Sequence, residues 1–236
     1  MNKNFETIFE DDNILVVNKP ANIYTISNIE TECSLFSEIK KQFKNIIPIF
    51  YLDKNATGIV FFVKNKETHK FICDQFKKES IERIYNIIVN GVMYEEQGEI
   101  NKPLLIKNNT TVLSEKGIKA ITRYKLMEQF KNYAFVEAVP LTTRPKQIRT
   151  HFFAIGNPLA IDEIYATAEP LLLSNLKKRY KGLNKEKPLL TRIPLHLSKI
   201  KLVLPGKKDF SVFEAQLPKD MEITLKQLRK YNKRSY

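Results

Sequence analysis

Residues 48–62, PIFYLDKNATGIVFF, set one carboxylate, Asp53, between Phe50, Tyr51 and Leu52 on one side and a run that becomes wholly apolar on the other. An acid in this setting is either a turn residue closing the strand or an ion kept at the rim of a cleft for chemistry. As an ion it has two uses that need no cofactor: attack on an electron-poor carbon, or removal of a proton beside an oxocarbenium-like centre. Either use requires a nearby cation to keep the group ionised beside apolar side chains. Further along, Tyr85 stands in the apolar run RIYNIIVNG, and TTRPKQIRTHFFAIG carries Arg144, Lys146, Gln147, Arg149 and His151. Taken singly, each has a plain structural reading. Asp53 fits a turn, Tyr85 a packed strand and Arg149 a surface or ion-paired helix position. His151 and His196 lack the spacing of a metal pair and read as structural residues, and Cys33 and Cys73, with no C-x-x-C spacing, as reduced core residues.

The elements that must position these residues follow from pattern. FETIFEDDNILVVNKP reads as a hairpin beginning almost at residue 1, and no N-terminal RNA-binding domain is expected. Residues 34–44 and the stretch KNKETHKFICDQFKKES have helical spacing of apolar residues. A strand ending at Gly91, surface hairpins over 92–117 and a long antiparallel pair, KAITRYKLMEQF with NYAFVEAVPL, come next. A helix is expected over PKQIRTHFFAIG with Pro145 in its first turn and Gly156 past its end. Two strands, around 193–204 and 209–216, precede a basic helix from Pro218. The fold class is α+β: a single domain over residues 1–217, a mixed and mostly antiparallel sheet with flanking helices, followed by a basic C-terminal helix or tail over 218–236.

Charge narrows the partner. Among 236 residues, 39 Lys and Arg against 26 Asp and Glu leave a net +13, which favours a polyanion. The excess gathers in residues 175–187, where Lys177, Lys178 and Arg179 stand together, and in 225–236. The longest apolar runs fall far short of the roughly 20 residues of a membrane span, and the N-terminus has no apolar signal-peptide core. A cytoplasmic monomer that does not enter a membrane is expected.

In this order and spacing the stretches around Asp53, Tyr85, Arg144–Asp162 and Arg192–His196 resemble the RluA family of RNA pseudouridine synthases. That family has H-R-L-D-x-x-T-S-G around its catalytic Asp and K-x-Y before an apolar strand ending in Gly. It then has G-R-x-H-Q-I-R-x-H-x-x-x-x-G-x-P-x-x-G-D-x-x-Y and a late R-x-x-L-H-A. The opening EDDNILVVNKPAN is similar to its E-D-x-x-x-x-V-x-N-K-P-A-G, so the resemblance covers about residues 5 to 217. The departures are Phe50-Tyr51 for His-Arg, Ala56-Thr57-Gly58 for Thr-Ser-Gly, Thr143 for Gly, Lys146 for His and Ile161 for Gly.

The resemblance implies a cofactor-free, metal-free isomerase that converts uridine to pseudouridine in tRNA or rRNA. Asp53 would be catalytic, by attack at C1′ or by taking a proton from C2′. Tyr85 would lie against the base and Arg149 would pair with Asp53. Tyr51, Arg144, Lys146, Gln147, Lys177, Lys178 and Arg179 are the expected RNA contacts. Two other classes stand beside this one. One is an RNA-binding or RNA-folding protein on the same fold with weak or lost catalysis. The other is a metal-dependent nuclease, which would need clustered carboxylates around a divalent ion.

Overall fold

The computed structural model describes residues 5–27, 32–108, 110–182 and 186–233. The N-terminal hairpin pairs strand β1 (Glu6–Glu10) with β2 (Ile14–Lys19). It turns on Asp11, whose Oδ1 accepts the N–H groups of Asn13 and Ile14 at 2.8 and 2.7 Å, an arrangement that short acidic side chains favour. Helix α1 (Leu35–Lys40) starts at Ser34 through a reciprocal pair of bonds with Ser37. It stops short of the expected residue 44, although the Phe43 N–H still donates to the Ile39 carbonyl at 3.1 Å, and the Phe43 ring lies under the Lys64 ammonium. Two-residue β3 (Ile47–Pro48) leads to β4 (Thr57–Val63), buried along its whole length. Helix α2 (Lys66–Lys77) is capped by Asn65.

Strand β5 (Glu82–Asn90) is followed by β6 (Gln97–Asn101) and the hairpin of β7 (Leu104–Lys107) with β8 (Thr110–Leu113). The long strands β9 (Ile121–Gln129) and β10 (Tyr133–Pro140) pair antiparallel as the pattern predicts. Helix α3 (Gln147–Ala154) departs from expectation at its start. Pro145 stays outside it, and Lys146 at the N-cap takes a left-handed conformation with φ 52°. Thr111 Oγ1 donates to the Pro145 carbonyl at 2.8 Å, which ties that residue to β8 instead of to the first turn. Short α4 (Leu173–Leu176), strands β11 (Leu195–Val203) and β12 (Phe210–Glu214), and helix α5 (Lys219–Tyr231) complete the chain.

These elements fall into two compact units, neither continuous in sequence: residues 1–83 with 196–216, and residues 84–195 with 217–236. In the first unit β4 lies between β2, antiparallel, and β11, parallel, with β12 antiparallel on β11. Phe61 meets Phe213 edge-on at 5.1 Å within its core. In the second unit β5, β10, β9 and β6 form an antiparallel run. The α+β class with a mixed, mostly antiparallel sheet is what the sequence predicts. The C-terminal segment, however, is no appended tail. Met221, Leu225 and Leu228 of α5 are buried in one cluster with Ile88, Phe130, Leu171, Leu176 and Leu190. Their spacing of four and three residues puts them on one helical face, and that face is core. Cys33 also differs from expectation: it is exposed, immediately before the α1 cap, with its Sγ 3.1 Å from Glu38 Oε1.

Candidate active site

Asp53 sits in the loop between β3 and β4 of the first unit, and nearly every neighbour of it is tied down. Phe50 packs on Phe76 and Phe61 with ring centroids 5.5 and 6.5 Å away. Leu52 is buried, and its backbone is gripped from both sides by one hydroxyl. The Leu52 N–H donates to Thr25 Oγ1, and that hydroxyl donates to the Leu52 carbonyl, each at 3.1 Å. The Asp53 carbonyl accepts the Ala56 N–H at 3.1 Å and so closes the turn. On the far side Thr57 Oγ1 meets His196 Nδ1 at 3.0 Å. Gly58, at φ +113°, lies where an added Cβ would stand 2.3 Å from the Leu197 carbonyl oxygen, so only glycine admits β11 at this approach.

The deepest support of the loop is Lys19, fully buried at the end of β2. Its Nζ donates to the carbonyls of Pro20, Ile23 and Lys54 at 2.9, 2.7 and 3.0 Å. Three acceptors match the three donors of an ammonium, and the third is the backbone of the residue after Asp53. Sequence reading passed over Lys19 as a site residue. Its signal was the N-K-P that ends the opening strand. Against these anchored neighbours Tyr51 is the exception: its side chain is 64% exposed, between buried Leu52 and packed Phe50. The loop therefore presents a half-buried carboxylate beside a projecting aromatic ring on a braced backbone.

The second unit holds the other expected residues. Tyr85 on β5 is buried, opposite Ala138 of β10. Arg149 on α3 is 4% exposed and makes a two-pronged ion pair with the fully buried Asp162, Nε to Oδ2 at 2.8 Å and Nη2 to Oδ1 at 2.6 Å. Asp162 Oδ1 also accepts the N–H groups of Ile164 and Tyr165. The Arg149 guanidinium lies over the Tyr165 ring, whose hydroxyl donates to the Thr111 carbonyl at 2.8 Å. Asp162 and Tyr165 thus orient Arg149, a role that the D-x-x-Y spacing could have signalled.

Gln147, expected at the RNA, is buried and its amide is engaged within the protein. Its Oε1 accepts from Thr142 Oγ1, and its Nε2 donates to the Ile121 carbonyl and to Thr122 Oγ1. The Thr122 hydroxyl meets His151 Nδ1 at 2.9 Å, and His151 Nε2 meets the Lys102 carbonyl at 3.0 Å. A carbonyl only accepts, so the proton is on Nε2, and Nδ1 accepts from the threonine. This network positions the turn that carries Arg144 and Lys146, both half-buried. His196, with Thr57 on one nitrogen and the Ala215 carbonyl 3.3 Å from the other, is likewise held within the protein. Burial holds the His151 imidazole below its ordinary range, despite the raising effect of the Lys102 carbonyl. Arg192 pairs with Asp220 at the start of α5 at 2.7 and 2.8 Å. Lys177, Lys178 and Arg179 follow α4, and part of their basic run, residues 183–185, lies outside the described residues, as do 234–236 of the C-terminal run. Among the described residues no three His, Cys, Asp or Glu side chains gather as metal ligands, and no helix is long and apolar enough to cross a membrane.

The family model described as RNA pseudouridylate synthase matches residues 13–154, a span that takes in Asp53, Tyr85 and Arg149. The chain belongs to the RNA pseudouridylate synthase family. Among curated relatives of this pseudouridine synthase, the dual-specificity RNA pseudouridine synthase RluA of Vibrio cholerae is 28% identical over 170 residues, covering 70% of this chain and 69% of that one. The ribosomal large subunit pseudouridine synthase D of Buchnera aphidicola is 30% identical over 228 residues, covering 91% and 69%. Among solved structures, human RNA pseudouridylate synthase domain containing 4 shares the fold with a TM-score of 0.75 at 20% identity, over 95% of this chain and 93% of that one. The synthase is an isomerase that acts on uridine in RNA.

Proposed function

We propose that Asp53 carries the isomerisation, with Tyr85 against the base and Arg149 as the cation that keeps Asp53 ionised. In the reaction the bond from N1 to C1′ breaks, the base turns, and C5 joins C1′. The C5 proton then leaves and N1 takes one up, so substrate and product have the same atoms. Asp53 would act by attack at C1′ or by removing the C2′ proton, both within reach of an unassisted carboxylate. The observation that carries this reading is the brace on the Asp53 loop. Thr25 holds the residue before Asp53 and Lys19 the residue after it, which is the preorganisation a reactive carboxylate needs.

The substrates are proposed to be uridines in loops or weakly paired stems of tRNA or ribosomal RNA, acted on by a cytoplasmic monomer. The Buchnera relative is named for the large ribosomal subunit and the Vibrio relative for dual specificity. Tyr51, Arg144, Lys146, Lys177, Lys178 and Arg179 are the proposed RNA contacts, with Gln147 holding the turn that carries two of them. The test is pseudouridine mapping of total RNA from cells that carry the wild-type gene, no gene, or Asp53→Asn. The substitution removes the anion and keeps the shape, so sites present with wild type should vanish while melting temperature and RNA affinity stay close to wild type. Sites that persist with Asp53→Asn would sink the assignment, and sites absent throughout would favour an RNA-binding protein that has lost catalysis.

A further inference from the structure

Two lysines distant in sequence meet on one aromatic ring in the second unit. Lys177 directly follows α4 and Lys230 lies in the last turn of α5, and their ammonium groups stand 5.6 and 5.1 Å from the centroid of Tyr231. The ring is placed by packing, since Tyr231 leans on the cluster of Leu171, Leu176, Leu190 and Leu228. The two basic runs of the sequence are therefore one surface. Lys178, Arg179 and Lys181 extend it on one side, and Lys226 and Lys233 on the other, all exposed. The β9–β10 turn adds Lys131, whose N–H donates to the Asn232 carbonyl at 2.8 Å.

A helix C-terminus favours a cation, and an exposed cation over a ring gains a weak attraction. Neither effect explains two ammonium groups on one ring, because the α5 C-terminus already holds Arg229, paired with Glu128. Several other surface cations meet carboxylates, as Lys64 does with Glu10, Arg123 with Glu99 and Lys199 with Glu214. Among the described residues neither Lys177 nor Lys230 is in an ion pair, and both ammonium groups stand among further exposed cations, a setting that suits a polyanion. Lysine is depleted from protein–protein interfaces and such interfaces need apolar anchors, whereas backbone phosphates are met by flexible cations.

We propose that Lys177, Lys230 and Tyr231 form the centre of a phosphate-binding site for the sugar-phosphate backbone of substrate RNA. This deepens the reading given under Proposed function and rests on it. The test is titration of the protein with bulk tRNA over a range of salt, using Lys177→Gln, Lys230→Gln and the double variant. Each lost phosphate contact shallows the slope of log K against log salt by about 0.7–0.9. The double variant should lose about twice that, bind roughly tenfold more weakly at low salt and melt with wild type. A double variant with wild-type affinity and slope overturns the site. So does one that loses binding to poly-glutamate but not to tRNA, which would make this an acidic-protein surface. Wild-type protein that neither binds RNA nor isomerises uridine would instead overturn the function itself, whereas an active wild type with an unaffected double variant overturns only this site.

Discussion

At the residue scale, the two side chains that most differ from a plain reading are Tyr51 and Arg149. Tyr51 is exposed on a loop whose other members are anchored, so its position is not a packing need. A ring stacked on a base is worth roughly 1–3 kcal/mol, and we expect Tyr51 to fill the stack as the target base leaves. In single-turnover assays Tyr51→Phe should stay near wild type, Tyr51→Ala should slow and Tyr51→Arg should be tolerated. An alanine variant as fast as wild type would leave the ring without this role. Arg149 is a stability residue as well as a proposed catalytic partner. Arg149→Met strands Asp162 in the core, and breaking a buried pair from one side costs about 3–5 kcal/mol. Adding Asp162→Asn, which keeps an oxygen for the Ile164 and Tyr165 N–H groups, should recover much of that loss in denaturant unfolding. Additive losses would show that the pair does not interact.

At the element scale, α5 shows why a basic run is a poor guide to a removable tail. Lys226, Arg229 and Lys230 occupy its exposed face, while Leu225 and Leu228 are in the core. Leu228→Ala should destabilise the protein by about 2–5 kcal/mol, the range for emptying a buried leucine site, as read from the urea midpoint. A drop well below this range would mean that α5 docks loosely. Deleting residues 225–236 would remove the same core and confound any RNA-binding result, so the charges are better tested one at a time by substitution. Pro145 is a related case. Helix-start preference puts proline in the first turn, but the Thr111 hydroxyl takes its carbonyl, and the helix begins at Gln147. A tertiary bond outweighed a local propensity.

At the scale of the whole molecule, the second unit is held by buried polar groups as well as by apolar packing. The network from Thr142 through Gln147, Thr122 and His151 to the Lys102 carbonyl joins β9, α3 and the segment before β7. Burial lowers the His151 pKa from its ordinary 6.5. The unfolded chain therefore takes up a proton where the folded chain still refuses it. Stability contributed by the neutral ring is complete above about pH 6.5 and falls as pH drops below it. Melting temperatures should decline as pH falls from neutral through that region, and His151→Gln should melt lower at neutral pH but decline less steeply. Parallel declines would assign the acid sensitivity to other groups.

The sequence by itself determined the class of fold, the order of the main strands and helices, and, through the ordered resemblance around Asp53, Tyr85 and Arg149, the family. These are properties of local pattern and spacing, which survive in a linear reading because side-chain periodicity follows from backbone geometry. Only the tertiary structure decided what each polar group meets. It placed Lys19 under the Asp53 loop, gave Arg149 the carboxylate of Asp162, closed Gln147 into a buried network, made α5 part of a core and brought Lys177 and Lys230 onto one ring. The partners of a buried ion or amide are set by which distant segments the packing brings within about 3 Å, and a spacing along the chain carries no record of that.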